Sequence, residues 1–147
     1  MKTRGGFLIS LIKQVQGRVF EKLLTKAGIE EFNGAQGRIL YVLWQEDNIP
    51  IVELSKRTGL AKTTLTSMLD RLEVRGFLSR VIDKADRRQI RIILTDLARS
   101  LEDKYNQVSD RMNTIFYKGF TPSEITRFEA NLEKILNNLY EEEENQK

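Results

Sequence analysis

The chain has 147 residues, 40% hydrophobic and 31% charged, with two prolines and nine glycines; this suits one domain with one core and excludes a disordered, collagenous or low-complexity chain. It contains neither cysteine nor histidine, which excludes disulfides, thiolate metal sites, cysteine nucleophiles, serine–histidine triads, and histidine-dependent zinc or di-iron sites. The net charge of +3 conceals a segregation: residues 50–91 hold ten Lys and Arg against five Asp and Glu, whereas residues 121–147 hold three against seven, so the middle of the chain carries a positive field suited to a polyanion.

Apolar residues at Leu8, Leu11, Ile12, Val15, Val19, Leu23 and Ala27 predict a first helix over 7–27, stopped by Gly28. A second helix reads from Ala35 to Glu46, too densely apolar at Ile39, Leu40, Val42, Leu43 and Trp44 for a surface helix with one apolar face, so it should be central. Pro50 opens a short helix to Arg57, and Thr58-Gly59 turns the chain. The next helix, Ala61 to Arg75, turns Leu65, Leu69 and Leu72 one way and leaves Lys62, Thr63, Thr66, Ser67 and Arg71 on the other. After Gly76, β-rich Phe77 to Ile82 and alternating Gln89 to Leu94 flank a charged turn, which predicts a two-stranded hairpin. Thr95 is the expected N-cap of one long helix carrying Leu97, Leu101, Tyr105, Val108, Met112, Ile115 and Phe116. Thr121-Pro122-Ser123-Glu124 is a capping box that starts the last helix, with Glu141 to Glu144 expected as a frayed acidic tail. The apolar runs are far shorter than the ~20 residues a membrane helix needs, and no secretory leader is apparent, so a cytoplasmic protein without membrane contact is expected.

Residues 50–95 carry the functional signal. A short helix, a tight turn and a second helix form a helix-turn-helix, whose second helix matches the width of the DNA major groove. Lys62, Thr63, Thr64, Thr66 and Ser67, with Arg71 farther along, are donors able to reach base edges and phosphates. Taken alone, they also describe an ordinary solvated helix face. The hairpin tip Asp86-Arg87-Arg88 adds long guanidinium arms of the kind that enter a narrow minor groove, and Asp86 is placed to aim Arg88 through a charge-assisted hydrogen bond.

These residues resemble the MarR-type winged helix-turn-helix transcriptional regulators. The likeness runs through Pro50 to Leu60, through Ala61 to Leu78, through Asp83-Lys84-Ala85-Asp86-Arg87-Arg88, and through Ile93-Leu94-Thr95. The resemblance implies a mainly α fold with a small β-hairpin, in which residues 1–147 form a single MarR-like unit. Its winged helix-turn-helix would be residues 34–95, flanked by dimerisation helices at 5–28 and 96–144. It implies a homodimer, a repressor that places two winged parts on a pseudo-palindromic double-stranded operator. Residues 62–67 would read bases, Arg87 and Arg88 would serve the wing, and Asp86 would position it. It also implies release by a small aromatic or lipophilic anionic effector, for which Lys13, Arg18, Tyr41 and Trp44 are candidates. Tyr41 and Trp44 equally fit plain core packing, and the apolar stripes of the terminal helices equally fit burial within one copy. No catalytic residue, required cofactor or metal is expected. The alternative is a winged-helix assembly module whose basic face meets an acidic protein. An enzyme resting on Glu141 to Glu144 is disfavoured, because consecutive side chains on a helix do not converge on one cation.

Overall fold

A computed structural model describes residues 1–147. Its elements, in chain order, are α1 (Gly5–Lys26), α2 (Gly34–Gln45), β1 (Ile49–Pro50), α3 (Ile51–Thr58), α4 (Lys62–Val74), β2 (Leu78–Ile82), β3 (Ile90–Leu94), α5 (Asp96–Ser100), α6 (Glu102–Phe116) and α7 (Pro122–Asn145). They form two units, residues 1–110 and residues 111–147. No helix is long and apolar enough to cross a membrane.

In residues 1–110, the core gathers where α2, α3, α4 and the sheet meet. Ile39, Leu40, Leu43, Leu54, Leu65, Leu69, Leu72 and Ile92 are fully enclosed, and burying a side chain of that size contributes roughly 1.5–3 kcal/mol. α2 begins on a reciprocal capping box, in which the Asn33 side chain accepts from the Gln36 amide and the Gln36 side chain accepts from the Asn33 amide. Gly37 lets α6 approach closely: a Cβ there would stand 2.7 Å from the Tyr105 ring. Phe20, Phe32, Trp44 and Phe77 join Tyr105 in a run of ring contacts with centroids 5.1–6.4 Å apart. Burial pushes the Tyr105 phenol up to about 12, against the nearby Arg38 charge.

The hairpin is there, but it belongs to a sheet of three strands, not two. Residues Ile49 and Pro50 add an edge strand opposite Ile92 and Arg91, giving the order β1-β3-β2. Two residues are too few for an alternating pattern to announce, and proline is tolerated there because an edge position asks for no ladder amide. Pro50 accordingly precedes α3 as its N-cap instead of occupying its first turn.

The long helix expected after Thr95 is also broken. Thr95 caps α5 by accepting from the Ala98 amide, and its hydroxyl donates to the Gly76 carbonyl at 2.6 Å, which ties the end of the wing to the end of α4. At Leu101 the ladder tightens to a bond from its amide to the Ala98 carbonyl, and the Ser100 hydroxyl donates to the Leu97 carbonyl. Such local bonds compete with the α-helical ladder, and the helix restarts at Glu102.

In residues 111–147, Phe116, Tyr117, Phe120 and Phe128 pack ring against ring around the turn into α7. The Tyr117 hydroxyl donates to Glu129 at 2.6 Å, which raises the phenol to about 12. The capping box at Thr121 and Glu124 forms as its sequence predicts, with Pro122 in the first turn. α7 then continues through Glu141 to Glu144 as far as Asn145, so these glutamates are helical and not a frayed tail. Their backbone amides still have carbonyls four residues back to bond, and the repulsion among solvated carboxylates is screened.

Candidate nucleic-acid interface

α3 and α4 are set against one another by their connection. Gly59 takes a left-handed conformation with φ of 71°, and the Thr58 side chain is buried beside it. Thr58 Oγ1 donates to the Leu54 carbonyl at 2.8 Å and accepts from the Leu60 amide, while Ser55 Oγ donates to the Leu60 carbonyl at 2.9 Å. The end of α3 is thereby bonded to the first residues of the three-residue turn, which leaves the pair little freedom to hinge.

With Leu65, Leu69 and Leu72 turned inward, α4 exposes Lys62, Thr63, Thr64, Ser67 and Arg71. Thr66 is half-buried, and its hydroxyl donates to the Lys62 carbonyl at 2.9 Å, so toward a ligand it offers an acceptor lone pair and a methyl group. No side chain caps the start of α4. Its first amides and the positive end of its dipole therefore stand available to an anion.

The wing loop is built on two aspartates. Asp83 Oδ1 accepts from the Ala85 and Asp86 amides at 2.7 and 3.2 Å, and the backbone closes with the Gln89 amide on the Asp86 carbonyl and the Asp83 amide on the Gln89 carbonyl. Asp86 then grips Arg88 three ways. Its Oδ1 accepts from the Arg88 amide at 3.0 Å and from Nε at 3.1 Å, and its Oδ2 accepts from Nη2 at 3.3 Å. The bonds from Arg88 hold the Asp86 carboxyl below its usual range. The Arg88 side chain nonetheless remains 91% exposed. A guanidinium that is oriented yet solvated has lost rotamer freedom without losing its charge to a buried pair.

The basic residues of this region divide into two groups. Arg57 pairs with Glu46, Arg80 with Asp70 and Glu73, and Arg91 with Asp83, while Arg75 donates to the Glu31 carbonyl. Those cations brace the fold. Lys56, Lys62, Arg71, Lys84 and Arg87 are exposed and carry no ion pair, and with Arg88 they concentrate the positive field on the helix-turn-helix and the wing loop.

The residues suggested for an effector are less united. Trp44 is half-buried in the aromatic run, with Nε1 donating to the Ala98 carbonyl at 3.0 Å, so its polar edge is already used by the fold. Tyr41 is exposed on α2, and Lys13 and Arg18 lie on the exposed part of α1. No hydrogen bond, ion pair or ring contact joins Lys13 or Arg18 to Tyr41 or Trp44.

The bonds made by Ser55, Thr58, Asp83, Arg91 and Asn48 are not foreseen from the sequence, although Thr58 and Asp83 lie in the turn and wing segments it marks. A trace of Asp83 was legible, since an aspartate two and three residues before the amides of a turn is a common side-chain acceptor for it. Arg91 and Asn48 meet across 43 positions, and no local pattern announces that.

Comparison with known proteins agrees with this arrangement. A model of the MarR family matches residues 32–90. The HTH-type transcriptional regulator TtmR of Methylorubrum extorquens is 39% identical over 88 residues, covering 60% of this chain and 44% of TtmR. The HTH-type transcriptional regulator YsmB of Bacillus subtilis is 33% identical over 94 residues, covering 63% of this chain and 64% of YsmB. The chain thus spans about half to two thirds of the length of these curated relatives. Among solved structures, a mutant MarR from Escherichia coli complexed with operator DNA superposes with a TM-score of 0.79 at 27% identity, covering 89% of this chain and 92% of that one.

Proposed function

From the match of residues 32–90 to the MarR family and the likeness to TtmR and YsmB, we propose that the chain is a MarR-type sequence-specific double-stranded DNA-binding transcriptional regulator, not an enzyme, acting as a homodimer on a pseudo-palindromic operator. The observation that carries this reading is Arg88: an exposed guanidinium, fixed by Asp86 at the tip of a wing that follows directly on α4. In this reading, α4 enters the major groove, with Lys62, Thr63, Thr64, Thr66 and Ser67 toward bases and Arg71 toward phosphate. Arg87 and Arg88 reach the adjoining minor groove, where negative potential is strongest if the groove is narrow. The winged part is residues 34–95.

Dimerisation is assigned to 5–28 and 96–144. Support comes from α1, where Phe7, Leu8, Leu11, Ile12 and Val15 are all exposed, and from α7, which has no buried residue and exposes Ile135, Leu136, Leu139 and Tyr140. Apolar surface of this extent on helices of 22 and 24 residues is what a second copy would cover. The protein acts as a repressor, released by a small aromatic or lipophilic anion. Tyr41, Lys13 and Arg18 are the accessible candidates for that anion. Trp44 would join them only if its core packing opened.

The test is selection of bound duplexes from a random pool, followed by anisotropy titration of the selected DNA over a salt series. The expected result is an inverted repeat with half-sites about one helical turn apart, and an affinity whose log-log salt slope grows by roughly 0.9 for each phosphate neutralised. Arg88→Ala should weaken binding while leaving the circular dichroism spectrum unchanged. An unenriched pool, together with tight binding of an acidic polypeptide, would instead identify a protein-assembly module. A panel of phenolic anions added to the complex tests release.

A further inference from the structure

Asp83 does more than shape its own turn. Besides the Ala85 and Asp86 amides, it accepts through Oδ2 from Arg91 Nη1 at 2.9 Å. Arg91 reaches on from β3 to the segment before β1, where Nε donates to Asn48 Oδ1 at 2.9 Å and Nη2 donates to the Asn48 carbonyl at 2.7 Å. Asn48 is the sole non-glycine residue with positive φ, at 57°, a conformation asparagine tolerates better than most, and it turns its carbonyl and its amide oxygen toward one guanidinium. Asp47, the next residue back, accepts from both the Asn48 and the Leu94 amides. A continuous polar strut therefore runs from the backbone of the wing loop, through Asp83, Arg91 and Asn48, to the segment that launches the helix-turn-helix.

All three guanidinium nitrogens of Arg91 donate within this strut, so Arg91 is tied to the fold although it lies in the most basic stretch of the chain. The Asp83 side chain is only 13% exposed, so the link is shielded better than the surface pairs around it. Toward its solvated tip the hairpin has no core beneath it: Ile82 and Ile90, the last pair of the β2–β3 ladder, are both exposed. Something other than apolar packing must hold the loop at one angle to α3 and α4, and the strut is the only polar connection between the loop and the residues preceding α3.

We propose that Asp83 is the positioning residue of the wing, acting through Arg91 and Asn48 to fix the angle at which Arg88 is presented to DNA. The proposal rests on the DNA-binding reading above. Charge-assisted hydrogen bonds to a fork-shaped cation are directional, so neither an amide in place of Asp83 nor an ammonium in place of Arg91 spans both partners.

The test is a double-mutant cycle on DNA selected with the wild-type protein. Asp83→Asn keeps an acceptor for the turn amides and loses the charged link, and it should weaken operator binding about tenfold, the scale of one charge-assisted bond. Arg91→Lys should do the same. In either background, Arg88→Ala should cost less than a third of what it costs in the wild type, because an arm no longer aimed has less to lose. Thermal midpoints of all variants, measured alongside, separate aim from stability. Wild-type protein that binds no DNA removes the DNA reading and this inference together, whereas DNA bound equally well without Arg88 removes the role given to the wing arginine and this inference with it. Asp83→Asn and Arg91→Lys proteins that bind like wild type, or whose losses simply add to that of Arg88→Ala, overturn this inference alone.

Discussion

The winged part and the terminal helices obey opposite rules of completion. In the winged part, the inward leucines of α4 are wholly enclosed, and no buried side-chain nitrogen or oxygen is left without a partner. In α1 the first buried residue is Leu24, near the C-terminal end, and upstream of it Phe7 is 65% exposed and Ile12 42%. α7 has a strongly made start and yet encloses nothing. The difference teaches that a helix can be fully specified by its own caps and periodicity while the surface it is meant to cover is absent. The winged part meets its own needs within one chain; the terminal helices are written for an occupant, and a second copy is the one proposed.

That contrast can be broken most severely at the terminal helices. Ile12→Glu combined with Leu139→Glu should yield monomers in sedimentation experiments, and with the two half-sites no longer linked, operator affinity should fall about 10²–10⁴-fold. The winged part should keep its amide spectrum in the same protein. A dimer that survives both substitutions would mean that the exposed stripes serve something else. The converse experiment strikes inside the winged part: Leu69→Ala, at a site with no exposure, should destabilise by about 2–5 kcal/mol in thermal unfolding, because the enclosed space cannot fully collapse around the lost atoms.

A smaller effect is expected where α2 meets α6. Gly37→Ala would press a methyl group against the Tyr105 ring, and such overpacking costs about 1–3 kcal/mol. Trp44 lies in the same ring cluster, so its fluorescence should shift along with the thermal midpoint.

The smallest effect is that of pH on the wing. Asp83 is held below its ordinary value of 3.8 first by the Ala85 amide and then by Arg91, and Asp86 is lowered by Arg88. Folding lowers these values, so the folded wing releases protons that the unfolded chain would bind in acid. The associated stabilisation is fully present above the ordinary aspartate range and is lost as pH falls through the lowered values. With no histidine in the chain, amide exchange protection in the wing should be flat between about pH 5 and 8, where few other groups titrate. A transition centred in that window would contradict the assignment of Asp83 and Asp86 as the groups that hold the loop.

Much of this was legible from local sequence, and the parts that were not share a reason. The helix periods, the capping box at Thr121 and Glu124, the turn at Gly59 and the Asp86–Arg88 pair all depend on residues a few positions apart, and side chains at that range meet whatever the rest of the chain does. The third strand, the break at Leu101, the strut from Asp83 to Asn48 and the use of Trp44 as a core donor to Ala98 were invisible. Each is decided by which distant segments come together, or by competition between two local patterns that the sequence allows equally. Periodicity and composition by themselves determined a mainly helical chain with a basic helix-turn-helix and a cationic wing, because hydrophobic spacing and charge are properties of neighbours. Only the tertiary structure decided which arginines brace the fold and which stay exposed, because a cation is committed by the carboxylate or carbonyl that folding brings beside it, and 43 residues separate Arg91 from Asn48.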